Sequence, residues 1–223
     1  SVHRLAELGA YGVTFHDDQV VSQDGMHRIG AVLGGVAAAL ADFEHPAASG
    51  FMPWDIANGL ILDPVLTEAL PADARGLVDR ARPRLARATE AMTTLPRQIV
   101  HNDGHAGNLL RTDETSDVVT GLIDFGDLVH TVTVADIAVS GANLVPHQTD
   151  PLGALGALTA GYAAGLASRR PLTDDELIAI PDLLLCRLVL STQLAEYQIA
   201  HAPHIAEHVT RLAVLEVAVK RAD

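Results

Sequence analysis

Between residues 98 and 138 the chain reads Gln98-Ile99-Val100-His101-Asn102-Asp103-Gly104-His105-Ala106-Gly107-Asn108-Leu109-Leu110-Arg111, passes through Asp113 to Asp117, and continues Val118-Val119-Thr120-Gly121-Leu122-Ile123-Asp124-Phe125-Gly126-Asp127-Leu128-Val129-His130 toward Val134-x-Asp136-Ile137-Ala138. Short aliphatic runs at 98–100, 108–111 and 118–123 predict three strands, with a turn at 113–117. The polar residues fall in two loops at the strand ends. Glycines flank them, and these let the backbone turn sharply and approach a ligand.

The spacing divides the labour. Asp103 and Asn108 lie across a loop that curls so that both side chains face one small volume. Asp124 ends the partner strand, so hairpin pairing brings its carboxylate beside Asn108. A carboxylate and an amide oxygen form a hard-oxygen site suited to Mg²⁺, which keeps several waters and takes remaining ligands from substrate phosphates. Asp103 is then free to orient or deprotonate a hydroxyl. Phosphoryl transfer from a nucleotide needs this arrangement, because the protein contributes positioning and electrostatics rather than covalent chemistry.

Outside this insert the periodicity is helical. Asp24 is the expected N-cap of a helix through Phe43, with Met26, Ile29, Leu33, Val36, Ala37 and Leu40 on one stripe. Glu44-His45-Pro46 ends it, and residues 46–63, with the sole tryptophan Trp54, read as a structured loop. A helix is expected over 72–95, started, ended or kinked by Pro83. Its Arg80, Arg82, Arg84 and Arg87 read as a solvated face. Further helices are expected at 134–145, 152–167, 174–200 and 203–220. Gly30-x-x-x-Gly34-Gly35 sits inside a helical pattern with no strand before it, so it reads as a helix-packing feature rather than a phosphate loop. The expected fold class is mainly α with a small β-hairpin insert (α+β), one domain over 1–223. It divides into a helical first half at 24–97, catalytic and metal-binding loops at 98–133, and a helical second half at 134–223.

Composition excludes some partners. The 223 residues carry 15 basic and 28 acidic side chains, a formal charge of −13, and every basic residue but Lys220 is arginine. Nucleic-acid binding relies on clustered Lys and Arg, so no nucleic-acid partner is expected. The acidic balance favours a cationic amine, and Asp174, Asp175, Glu176, Glu196 and Glu207 are candidates for lining its pocket, although most are expected to face water. The single cysteine, Cys186, reads as a buried thiol in a reducing compartment. The uncharged run from Pro151 to Ser168 contains four glycines and reads as a packing helix, not a bilayer span. The expectation is a cytoplasmic protein with no membrane partner. His201, His204 and His208 share a helical face but read as solvated or interface histidines.

His101-x-Asp103-x-His105-x-x-Asn108, followed by Ile123-Asp124-Phe125-Gly126-Asp127, resembles the aminoglycoside phosphotransferase and choline kinase superfamily, which has the protein-kinase-like fold. The longer string Gly121 to His130, with Asp136, Phe43-x-His45-Pro46 and Trp54-Asp55, is similar to the hydroxylysine kinase-like branch. The resemblance implies a phosphotransferase that uses ATP or GTP with Mg²⁺ and acts on the hydroxyl of a small, amine-bearing metabolite. It makes Asp103 the catalytic base or hydroxyl-orienting residue, and Asn108 and Asp124 the metal ligands that carry the nucleotide phosphates. His101 braces the loop, while Asp136 caps the following helix and ties it to the catalytic loop. His105 and Asp127 are candidate supporting residues.

The chain also departs from that pattern. Kinases of this fold place a β-rich lobe, with a phosphate-covering loop and a strand lysine, before the helical lobe. Here 100 residues precede His101, they match helices, and they contain no lysine. The expectation is therefore a helical C-terminal lobe with the N-terminal β-lobe absent, and self-association through the surface so left. Two other functions remain open at this level. One is a non-catalytic module that binds a small molecule or protein. The other is a Zn²⁺- or Mn²⁺-dependent hydrolase using His101, Asp103, His105, Asp124 and His130.

Overall fold

Ser22, not Asp24, begins the first helix. Its hydroxyl accepts the Gly25 N–H at 3.0 Å, and Asp117 accepts from the Ser22 amide at 3.1 Å and hydroxyl at 2.5 Å, so the cap is itself tied down from a distant loop. Asp24 lies in the first turn, where its charge suits the helix dipole and pairs with Arg28 at 2.8 Å. The computed structural model describes residues 12–16 and 18–201, the side chains of residues 60 and 61 excepted. The expected helix at 203–220, with Glu207, His204 and His208, lies outside the described residues.

In chain order the elements are β1 (Val13–Thr14), α1 (Gln23–Leu40), α2 (Ile56–Glu68), α3 (Ala72–Met92), β2 (Arg97–Val100), β3 (Leu109–Arg111), β4 (Val119–Leu122), β5 (Val129–Val132), α4 (Ala135–Leu144), α5 (Pro151–Leu166) and α6 (Asp174–His201). Single 3-10 turns occur at Pro46–Ser49, Ala106–Asn108, Phe125–Asp127 and Val145–His147. The fold class is the expected one: a mainly α body with a small β insert.

The expected hairpin is β3–β4, with Leu109 opposite Leu122 and Leu110 opposite Gly121. The two short strands β1 and β5 were not expected. β1 adds to the hairpin in the order β1-β3-β4, while β2 pairs antiparallel with β5, Val100 facing Val129. β5 shows no clean alternation, because three of its four residues are buried.

Helix α1 buries Met26, Ile29, Leu33 and Ala37 completely. Helix α5 lies against it at backbone distance: a Cβ on Gly30 would stand 2.0 Å from the Leu158 carbonyl, and one on Gly34 2.1 Å from the Tyr162 carbonyl. The glycine motif is therefore a packing feature, as expected. Tyr162 then donates to the Thr133 carbonyl at 2.7 Å, anchoring this helix pair behind β5.

Residues 46–63 are not the expected loop throughout. Asp55 caps α2 by accepting the Ala57 N–H at 3.0 Å, and α2 runs on through Pro64 to Glu68. Its apolar residues surround the axis, so no stripe announces it. α3 likewise continues unbroken through Pro83. Along the arginine face of α3, Arg80, Arg82 and Arg87 are exposed as expected, and Arg84 is half-buried. Arg82 pairs with Asp63 at 2.7 Å, and Arg84 and Arg87 pair with Asp182 at 2.5 and 3.1 Å, joining α3 to α2 and α6. Asp63 is held below the usual carboxylate range by Arg82, Gln193 and Thr67, against the opposing effect of burial.

At the start of α6 the expected solvated acid Glu176 is instead fully buried and pairs bidentately with Arg170 at 2.6 and 2.7 Å. Glu176 also accepts the Thr173 amide at 2.9 Å while Thr173 Oγ1 accepts the Glu176 amide at 3.2 Å, a reciprocal capping box. Asp174 and Asp175 are exposed as expected. Helix α6 is long and apolar enough to cross a membrane by length and composition, and most of its apolar window is buried inside the fold, as in a core helix. Cys186 is buried within it, and burial pushes its thiol up to about 12.

Candidate active site

Strand β2 delivers the chain to His101, and helix α4 catches it there. The backbone amides of His101 and Asn102 donate to the Asp136 carboxylate at 3.4 and 2.7 Å. Asp136 therefore ties α4 to the loop, but it does not cap α4. It lies in the first turn, and no side chain caps Val134 at the N-cap position. The carboxylate is completely buried, and burial pushes it up to about 6 against the pull of the two amides and Arg187. Asn102 adopts φ 63°, a left-handed conformation that asparagine tolerates. A second anchor comes from the same helix, where Asn143 Oδ1 accepts the Ala106 amide at 2.9 Å.

The fully buried His101 links the two loops. Its Nδ1 accepts the Asp103 amide at 3.3 Å, and its ring meets Phe125 edge-on at 4.6 Å. Burial lowers its basicity, opposed by the Ile123 carbonyl and by the Asp124 and Asp127 carboxylates. A neutral imidazole with an accepting Nδ1 carries its proton on Nε2.

Asp103 and Asn108 meet directly. The Asn108 Nδ2 donates to the Asp103 carbonyl at 2.9 Å and to its Oδ2 at 2.7 Å. Two acceptors on Nδ2 fix the amide, leaving Oδ1 of Asn108 as its remaining acceptor. Burial raises the Asp103 carboxyl, as does Asp127, against the pull of His105, Arg187 and Asn108. The His105 Nε2 stands 3.7 Å from Asp103 Oδ2.

Strand pairing sets the residue before Asp124 against Asn108. The Ile123 amide donates to the Asn108 carbonyl at 3.0 Å, so Asp124 follows directly on the residue facing Asn108. Asp124 is exposed and left-handed, with φ 64° and ψ 71°, and its Oδ1 accepts only a long 3.4 Å bond from Gly126. Its carboxylate is thus solvent-accessible and weakly bonded. Asp127 closes the Phe125–Asp127 turn, half-buried, with its charge felt at both His101 and Asp103.

By donor chemistry these residues fit a hard divalent cation, since one amide oxygen and one exposed carboxylate belong to adjoining strand ends. They do not fit an imidazole-rich centre. Among the described residues no group of three or more His, Cys, Asp or Glu side chains is placed to hold a metal ion. His130 projects outward from β5, and His101 spends its Nδ1 on the loop backbone. His201 stacks on Tyr197 at 4.1 Å and bonds its carbonyl at 2.8 Å.

Sequence reasoning missed Arg187. This buried α6 residue lies over the Trp54 ring at 5.3 Å, donates to the Trp54 carbonyl, and acts electrostatically on both Asp103 and Asp136. The signal was a lone charge in the apolar run Leu183–Leu190. Asp55 entered the sequence reading only through the Trp54-Asp55 resemblance, without a structural role. Besides capping α2 it accepts the buried Thr131 hydroxyl at 2.8 Å, fastening the Trp54 segment to β5.

Residues 3–172 match the family model described as the phosphotransferase enzyme family. Hydroxylysine kinase from Mus musculus is 25% identical over 202 residues, which is 85% of this chain and 52% of that protein. Among solved structures, an amicoumacin kinase aligns with TM-score 0.60 at 17% identity, covering 94% of this chain and 61% of that one. A microcompartment-associated aminopropanol kinase aligns with TM-score 0.60 at 21% identity, covering 92% and 60%. The chain thus spans about half the length of the mouse relative, and its helical body is that of the protein-kinase-like small-molecule kinases. Both loop motifs at 101–108 and 123–127 lie within the matched span, and the chain belongs to the phosphotransferase enzyme family.

Proposed function

We propose that the protein transfers the γ-phosphoryl group of ATP or GTP to the hydroxyl of a small, amine-bearing metabolite in the cytoplasm. The observation that carries this is the direct bond between Asp103 and Asn108, with the Asp124 carboxylate at the adjoining strand end. One side chain in this group suits a hydroxyl and two suit a divalent cation.

Asp103 receives the acceptor hydroxyl, orients its oxygen toward the γ-phosphorus and takes its proton. The new oxygen–phosphorus bond forms as the bridging bond to the nucleoside diphosphate breaks. Asn108 Oδ1 and Asp124 would hold Mg²⁺, which when bound neutralises phosphate charge. His101 and Asp136 keep the loop in place, so Asp103 needs no reorganisation during the reaction.

The amine is supported by relatives whose names specify amino alcohols, hydroxylysine kinase and aminopropanol kinase. The nucleotide and divalent cation are supported by the amicoumacin kinase, solved with AMP-PNP and Ca²⁺. A reducing compartment accords with a single buried thiol.

The test is nucleoside diphosphate release by the full-length protein across a panel of amino alcohols that includes hydroxylysine and aminopropanol. Release that requires an amino alcohol and stops with EDTA is the expected result. Acceptor-independent release, or none with any nucleotide, overturns the proposal.

A further inference from the structure

The catalytic loop holds one imidazole that the roles above leave unused. His105 is tied at three points. Its amide donates to the Asp103 carbonyl at 2.9 Å, its carbonyl accepts the Asn108 amide at 2.9 Å, and its Nδ1 accepts the Gly107 amide at 3.0 Å. The third contact sets the tautomer, because an Nδ1 that accepts leaves the neutral ring's proton on Nε2. That Nε2 is the atom 3.7 Å from Asp103 Oδ2, just beyond hydrogen-bond length, and catalytic hydrogen bonds are commonly long before substrate binds. The ring lies flat across Gly107. A Cβ there would stand 2.8 Å from the imidazole Cε1 and 3.2 Å from Nδ1, so glycine at 107 is what lets the ring take this seat.

One donor therefore bonds this carboxylate oxygen and a second faces it just beyond bonding distance. Asn108 Nδ2 reaches Oδ2 at 2.7 Å, and His105 Nε2 approaches the same Oδ2. Among the described residues no such hydrogen-bond partner stands on Oδ1. We infer that His105 is a positioning residue that, together with Asn108, engages Oδ2 of Asp103 and so commits Oδ1 to the acceptor hydroxyl. The inference rests on the phosphotransfer proposal above and deepens it, naming which oxygen takes the proton and what turns the carboxylate. With Asn108 bonded to one oxygen and His105 closing on the same atom, rotation of the carboxylate about its Cβ–Cγ bond would lose both contacts. The lone pair meeting the substrate then points in one direction.

The test has a structural arm and a kinetic arm, both on the full-length protein. In ¹⁵N-histidine-labelled protein, long-range nitrogen–proton correlations are expected to show His105 protonated at Nε2. Asp103→Ala is expected to move the Nε2 resonance, and Gly107→Ala to move Nδ1. A ring protonated at Nδ1, or an Nε2 resonance indifferent to Asp103→Ala, overturns the inference whether or not turnover is measured. In the kinetic arm, with ATP and hydroxylysine or aminopropanol, His105→Asn keeps the Gly107 contact but loses the donor. It is expected to lower kcat roughly 10²-fold with KM little changed. His105→Gln places an amide N–H near the Nε2 position and is expected to exceed His105→Asn about tenfold in kcat. Equal kcat in the two variants, or a loss confined to KM, overturns the role. An enzyme that transfers phosphate to no amino alcohol counts against the proposed function instead, and the His105 resonances still decide the geometry.

Discussion

The Asn108 amide nitrogen donates to both the carbonyl and the carboxylate of Asp103, at 2.9 and 2.7 Å. The candidate base and the candidate metal ligand are thus directly tied, with the Asn108 amide oxygen left out of both bonds. Asn108→Asp removes the donor and sets a second negative charge against Asp103. Turnover of the full-length protein is expected to fall roughly 10²-fold or more, with added Mg²⁺ failing to restore it. Wild-type turnover in this variant would separate the two residues.

Asp136 predicts a pH dependence. Its carboxyl is pushed up to about 6 in the folded protein, whereas an unfolded aspartate titrates near 3.9. Between those values the folded state holds a proton that the unfolded state has released. This contribution to stability is present below about pH 4 and lost as pH rises through 6. Relative to Asp136→Asn, the wild type is expected to lose about 2–3 kcal/mol between pH 4 and 7 in urea unfolding. A difference that stays constant with pH contradicts the burial of an ionisable group there.

Arg187 joins the Trp54 segment to the catalytic loop from α6. Arg187→Met leaves the Trp54 carbonyl without that donor and removes a cation acting on Asp103 and Asp136. The expected cost is about 2–4 kcal/mol of stability, with a changed emission from Trp54, the sole tryptophan. Unaltered emission and stability would remove Arg187 from this role. Lysine is not expected to substitute, because its single ammonium cannot both lie flat on the ring and bond the carbonyl.

The α1–α5 contact gives a paired comparison on adjacent residues. At Gly34 a Cβ meets the Tyr162 carbonyl at 2.1 Å, while at Gly35 nothing lies within 4 Å. Gly34→Ala is expected to destabilise by at least ~2 kcal/mol, since backbone must move. Gly35→Ala is expected to stabilise by roughly 0.5–1 kcal/mol, by limiting the freedom of the unfolded chain. Similar effects at both positions would contradict the close approach.

Features carried by local chemistry were legible in the sequence. The α1 stripe, the glycine packing face, the β3–β4 hairpin and the meeting of Asp103 with Asn108 all follow from periodicity or from short spacing. What depends on distant partners was not legible. Ser22 outranks Asp24 as a cap because Asp117, far along the chain, holds it. Helix α2 lacks a polar face to give it a period, and β5 is recognisable only once β2 lies beside it. Glu176 reads as solvated because charge is normally exposed, and only the folded chain supplies its partner Arg170; the α3 arginines are largely exposed as read, but their partners Asp63 and Asp182 appear only in the fold.

The most direct measurement is turnover of full-length Asp103→Asn beside the wild type, with ATP, Mg²⁺ and an amino alcohol acceptor. If Asp103 receives the acceptor's proton, kcat falls roughly 10²- to 10⁴-fold while the melting temperature stays near that of the wild type. Turnover at the wild-type level in a folded variant would show that the hydroxyl is handled elsewhere.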